Sequence, residues 1–205
     1  MTTIFAVCRT AEVPAEVIDN ILTASYEYSE HLSAGIGPLL AVLPGPGDGN
    51  DGSNMDTVEA NVTMAGTAAS LPPSPFIGMS AEQVAERLGE PKNRFFAVLD
   101  ARTAEDSTVL LAAMETDDDG EVTGRLQTVR AAPKWVQATL VALDIATMGF
   151  EEVIDMAEDE PGGVYGASGH PGRGEVESTN DEEDVLPSDT PVPPLVFGEV
   201  AEEDS

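Results

Sequence analysis

Two near-continuous apolar runs joined by a short polar connector constrain this chain more than any other feature. Arg94 to Asp100 reads RFFAVLD, and Thr108 to Met114 reads TVLLAAM. Runs without polar alternation fit strands covered on both faces, so both are expected at the centre of a sheet with helices on either side. Residues 101–107 between them are polar and too few for a helical crossover, which predicts an antiparallel pair.

The remaining pattern builds a domain around that pair. TIFAVC, residues 3–8, predicts a first strand ending at Cys8, a buried structural thiol rather than a nucleophile. Pro14 then opens a helix on which Val17, Ile18, Ile21, Leu22, Ser25, Tyr28 and Leu32 recur at helical spacing, with Gly35 and Gly37 as its stop. His31 falls in its last turn, where an imidazolium suits the helix dipole. PLLAVLP at 38–44 predicts another strand, and Val58, Val62 and Met64 alternate weakly enough to admit one more. Ser80 and Gln83 form a capping box, with Met79 and Val84 as a hydrophobic staple, so a helix is predicted over 81–88 with its stop at Gly89 and Pro91. A turn over 116–120 leads to a strand near 122–130. Pro133 starts a helix expected to run to about Met148, its apolar face formed by Trp135, Val136, Thr139, Leu140, Leu143 and Ile145. After Gly149, Phe150, Val153, Ile154 and Ala157 predict a final amphipathic turn or two.

The fold class is therefore α/β (α+β): a single mixed sheet with helices packed on it, spanning 1–166, with 45–75 as a flexible insertion. Residues 167–205 are Ser-, Gly-, Pro- and acid-rich and lack a helical pattern, which predicts a disordered acidic tail.

Charge bounds the function. The chain carries 38 acidic against 9 basic residues, a formal charge of −29. Such a surface cannot neutralise phosphates, which excludes direct nucleic-acid binding, and it is repelled by an anionic leaflet, which excludes membrane attachment. With 1 Cys and 2 His, neither a disulfide framework nor a thiolate or imidazole metal centre is expected, and no cofactor is implied. The first residues have no basic segment ahead of their apolar stretch, and Arg9 and Glu12 interrupt it, so a cytoplasmic protein is expected.

Few groups could carry chemistry. ETDDDG, residues 115–120, mimics the start of a calcium loop, but its twelfth position would be Leu126 where a bidentate Glu is needed; a hairpin turn accounts for it, and the Asp48-Asn50-Asp51 loop fails the same test. Asp100 and Arg102 lie at the end of a central strand, where sites collect in α/β proteins. They could line a ligand pocket with Arg130, or form salt bridges among themselves. Arg130 and Lys134, beside Trp135, concentrate positive charge; they could bind an acidic ligand, but are expected first to brace the chain's own carboxylates. Leu195, Val196 and Phe197 form an apolar patch amid acids, suited either to folding on a partner or to packing back as an extra strand.

From residue 94 onward the order of features resembles a family known only as a domain of unknown function, small acidic proteins largely of bacteria with some fungal members. FFAVLDARTAEDSTVLL at 95–111, Val129-Arg130 and the Trp-containing helix carry the resemblance. Its most distinctive part is Leu143 to Glu152, LDIATMGFEE, where the family shows Leu-Ser-Ile-Ala-Asn-Met-Asp-Phe-Glu-Glu. The family's closing Asp-Gly-Val-Phe-Arg-Gly is here Gly162-Gly163-Val164-Tyr165-Gly166, without the arginine. Ser80 to Leu88 is also similar, and the likeness extends over about 2–166. It implies fold membership and no activity or catalytic residue.

These readings predict a non-enzymatic protein–protein interaction module for a basic partner. The competing expectation is an accessory enzyme or small-ligand binder using the Asp100/Arg102 strand end.

Overall fold

The computed structural model describes residues 3–43, 62–89, 94–116 and 122–169. Most of the 45–75 insertion, the Asp48–Asp51 loop, much of the 115–120 turn, and Leu195, Val196 and Phe197 lie outside these residues.

The strands are β1 (Phe5–Arg9), β2 (Leu40–Val42), β3 (Phe95–Leu99), β4 (Val109–Thr116), β5 (Val122–Ala131) and β6 (Val164–Tyr165). They form one mixed sheet in the order β2-β1-β3-β4-β5-β6. β1 runs parallel to both β2 and β3; β4 is antiparallel to β3 and β5; β6 is parallel to β5. Among the described residues five α-helices accompany it: α1 (Ala15–Leu32), α2 (Ala81–Leu88), α3 (Ala101–Asp106), α4 (Val136–Asp144) and α5 (Phe150–Glu158).

The unbroken apolar strands divide their side chains between two cores, as the period of two requires. Phe5, Val7, Ala97, Leu99, Val109, Leu111, Ala113, Val129 and Ala131 face one side, where α1, α4 and α5 close over them with Ile18, Ile21, Leu22, Leu140 and Val153. Ala6, Cys8, Phe96, Val98, Ala112 and Met114 face the other, against Val84, Ala85 and Leu88 of α2 and Phe76. The antiparallel β3–β4 pair and its doubly covered setting agree with the sequence.

The 101–107 connector, too short for a crossover as read, holds the one-and-a-half-turn α3: Asp100 caps it, with Thr103 Oγ1 answering the Asp100 N–H at 3.1 Å. Other expectations are corrected. The helix expected from Pro133 to Met148 is a 3-10 turn (Pro133–Trp135) followed by α4, which stops at Asp144. Its end is a Schellman motif: Thr147 N–H donates to Ala142 O at 2.9 Å, Ala146 N–H donates to Leu143 O at 3.2 Å, and Ala146 takes a left-handed φ of 55°. This turn throws Ile145 into solvent at 62% exposure, so it is no part of the core, and Leu32 at 56% likewise leaves the expected apolar face of α1. The final amphipathic turn or two is a 9-residue helix, α5.

β6, two residues long, was too short to signal itself. Gly166, which follows it, explains the glycine that ends the family-like 162–166 segment. Its φ is +75°, and a Cβ placed there would meet the Trp135 ring at 2.1 Å. Trp135 in turn lies 4.5 Å from the Tyr28 ring centroid and 5.7 Å from that of Tyr165, tying α1 to the sheet's end. Glu160 accepts from both the N–H and the hydroxyl of Ser168, at 2.7 and 2.8 Å, which carries the structure through 169.

Candidate functional site

The strand directions gather the carboxyl ends of β1, β2, β3, β5 and β6, with the start of β4, at one edge of the sheet. Chain order sends β1 to β2 on one side and β2 to β3 on the other, with α1 and α2 on opposite faces. That reversal marks the β1–β3 junction as the place where doubly wound sheets open a crevice. Here the chain itself occupies it. Ser74 Oγ donates to Arg9 O at 2.7 Å, Gly78 N–H donates to Thr10 O at 2.8 Å, and the Arg9 guanidinium donates to Pro72 O. Burial pulls the Arg9 pKa down, against the opposing charge of Glu12.

Two strands along, the same edge brings Asp100 and Arg130 together. One Asp100 oxygen accepts the Thr103 N–H at 3.0 Å and the Thr103 hydroxyl at 3.1 Å; the other takes the Arg130 guanidinium. Arg130 also donates to Thr108 O at 3.3 Å, so it clamps the ends of β3, β4 and β5. Its side chain is 12% exposed and that of Asp100 28%. Burial pushes the Asp100 carboxyl up, but Arg130 and Thr103 outweigh it and hold the group below the usual carboxylate range. Arg102 turns elsewhere, to Asp106 at 2.8 Å on the exposed side of α3. Partial burial raises Asp106, whereas hydrogen bonds from Thr108 and Arg102 lower it more, to about 2. Of the three residues read as a possible pocket, the structure joins Asp100 and Arg130 and leaves Arg102 apart.

The other sequence candidates are also engaged internally. Lys134 donates to Gly169 O at 3.1 Å and lies 5.5 Å and 5.7 Å from the ring centroids of Tyr28 and Trp135. Cys8 is fully buried in β1, and burial pushes its thiol far up, which suits a core residue and not a nucleophile. No group of three or more His, Cys, Asp or Glu able to hold a metal occurs among the described residues.

One feature was not singled out from the sequence. On the α2 face of the sheet a groove of about 460 Å³ runs between α2 and β5, floored by Met114 and Leu126. Glu82 and Glu86, one turn apart on α2, form one wall; Gly124 and Arg125 form the far lip. The legible signals were the unpaired acidic i,i+4 spacing on α2 and a glycine inside a strand pattern.

A family whose description reads Domain of unknown function (DUF6924) matches residues 51–167, more than half of the chain. The chain belongs to DUF6924. The DUF6924 match begins after β2 and takes in α2 through β6, so it contains the groove and the Asp100–Arg130 clamp. Arg9 and the rest of β1, which sits between β2 and β3 in the sheet, precede it. The matched span is thus shorter at its start than the likeness over 2–166. No curated protein and no solved structure matches the chain. No described helix is long and apolar enough to cross a membrane.

Proposed function

We propose that this DUF6924 chain is a non-enzymatic interaction module whose anionic surface meets a basic protein partner. One observation carries the reading: among the described residues every Arg and Lys except Arg125 has a partner within the molecule, while only two carboxylates, Asp100 and Asp106, form ion pairs. Arg130 and Arg102 answer Asp100 and Asp106, Arg9 and Lys134 answer backbone carbonyls, and Arg87 and Arg94 lie 5.9 Å and 5.0 Å from the ring centroids of Phe76 and Phe95. From Asp144 to Glu160, by contrast, the chain holds 7 acidic residues and no basic one. Such a field steers a cationic partner into encounter and weakens with salt. A strand-end pocket for an enzyme draws no support from the geometry, because its acid and its cation neutralise each other. A cytoplasmic setting, where the lone buried thiol stays reduced, belongs to this reading.

The test is retention of the full chain on immobilised peptides rich in Arg and Lys, with acidic peptides as controls. Retention of the basic set should fall steeply with salt. Asp100→Asn, which keeps the cap on α3, should leave it unchanged. Equal retention of both sets at low salt would contradict the proposal.

A further inference from the structure

We infer that the groove between α2 and β5 receives a segment of that partner in which an Arg or Lys stands beside a Leu-sized apolar side chain. The inference rests on the interaction reading and deepens it by naming the contact.

Three features of the groove converge. Its floor is apolar and open on one side: Ala85 and Met114 are buried by the second core, at 8% and 5% exposure, and Leu126 beside them is half-buried. Its volume of about 460 Å³ lies inside the ~300–1,000 Å³ range of ligand sites. An apolar anchor therefore has a seat.

Its wall is anionic without internal compensation. Glu82 and Glu86 are exposed on one side of α2, a spacing at which like charges repel. Neither has an ion-pair partner among the described residues. The Ser80 hydroxyl holds the Glu82 carboxyl below its usual range, so it stays charged. Among the described lining residues two carboxylates stand against the single Arg125.

Its far lip is shaped by a bulge. The β4–β5 register shifts between Met114 and Thr116, and Gly124, at φ +78°, has nothing within 4 Å of where a Cβ would stand. Bulges bend a strand and recur beside sites. Here the irregular stretch of β5 lies beside α2 and borders the groove.

Charge selects the occupant. A cationic segment from a partner is matched on both counts.

The test selects short peptides from a displayed random library against the immobilised full chain, then measures their affinity for variants. Selected peptides should carry Arg or Lys next to Leu, Phe or Met. The double variant Glu82→Gln/Glu86→Gln should bind them about tenfold more weakly, ~1.4 kcal/mol, and Leu126→Lys should bind them no better. Glu16→Gln/Glu27→Gln, which removes the same charge from α1 on the opposite face, should change affinity by less than about twofold. If both double variants weaken binding equally, the long-range field is responsible; the groove assignment then falls while the interaction reading stands. Selection of no basic peptide overturns both. If butylguanidinium displaces the peptides at a concentration matching their own affinity, the occupant is a small cation and the partner-segment assignment is wrong. Circular dichroism of each variant separates loss of binding from loss of fold.

Discussion

The two faces of the sheet are built on opposite terms. On one, α1, α4 and α5 close over a continuous core and interlock through Trp135, Tyr28 and Tyr165. The buried Gln137 there accepts the Leu39 N–H at 2.8 Å and donates to Gly37 O at 3.2 Å. On the other face α2, with Phe76 and its neighbours, packs over side chains of β1, β3 and β4, and a groove is left between α2 and β5. The closed face is a continuous core, and the open face keeps a groove walled by Glu82 and Glu86.

The sharpest way to break this comparison is to place a methyl group on each face at a glycine of similar φ. Gly166→Ala drives a Cβ into the Trp135 ring and should cost about 3–5 kcal/mol by denaturant unfolding, strain and overpacking combined. Gly124→Ala meets open space and should cost only the left-handed strain, about 1–2 kcal/mol. Equal costs would mean that the closed face is no tighter than the open one.

Truncating core leucines probes the same contrast. Leu140 and Leu88 are exposed by 0% and 2%. Leu140→Ala should cost about 3–4 kcal/mol and Leu88→Ala about 2–3 kcal/mol, because the wall next to the groove can settle into the space. The reverse order of unfolding midpoints would contradict the account.

At the strand edge Asp100→Ala removes the cap of α3 and leaves the mostly buried Arg130 without its carboxylate. A loss of about 2 kcal/mol is expected, against about 1 kcal/mol for the Ser80→Ala cap of α2. Asp106, lowered to about 2 in the fold, gives a pH test. A carboxyl that is more acidic folded than unfolded stabilises above its unfolded pKa, ~4 for Asp. The advantage of the native chain over Asp106→Asn should therefore be present at neutral pH and vanish as pH falls from ~4 through about 2. A gap independent of pH over that window would assign the effect elsewhere. The smallest effect is a gain: Ala146→Gly, at the left-handed α4 cap, should raise stability by about 1 kcal/mol.

Much of this was readable from residues whose signals are local. The capping box at Ser80 and Gln83 and the unbroken runs RFFAVLD and TVLLAAM report elements that form by their own propensity and two-sided burial. Where the outcome depended on contacts distant in sequence, the pattern was silent. Ile145 continues a helical spacing, and only the Schellman turn at Ala146 shows that it leaves the core. Asp100-x-x-Thr103 carried a cap signature, but the polar look of 101–107 concealed α3. At the strand edge, the sequence could name Asp100, Arg102 and Arg130 but not which of them meet. The groove needed the tertiary fold, because Glu82, Met114 and Leu126 belong to three separate elements.

The most direct measurement of the division between the faces is amide hydrogen exchange of the full chain with and without a selected basic peptide. The account predicts added protection at 82–89 and 124–126, with α1, α4 and α5 unchanged. Protection that appears instead along α5, or on no segment of the α2 face, would contradict it.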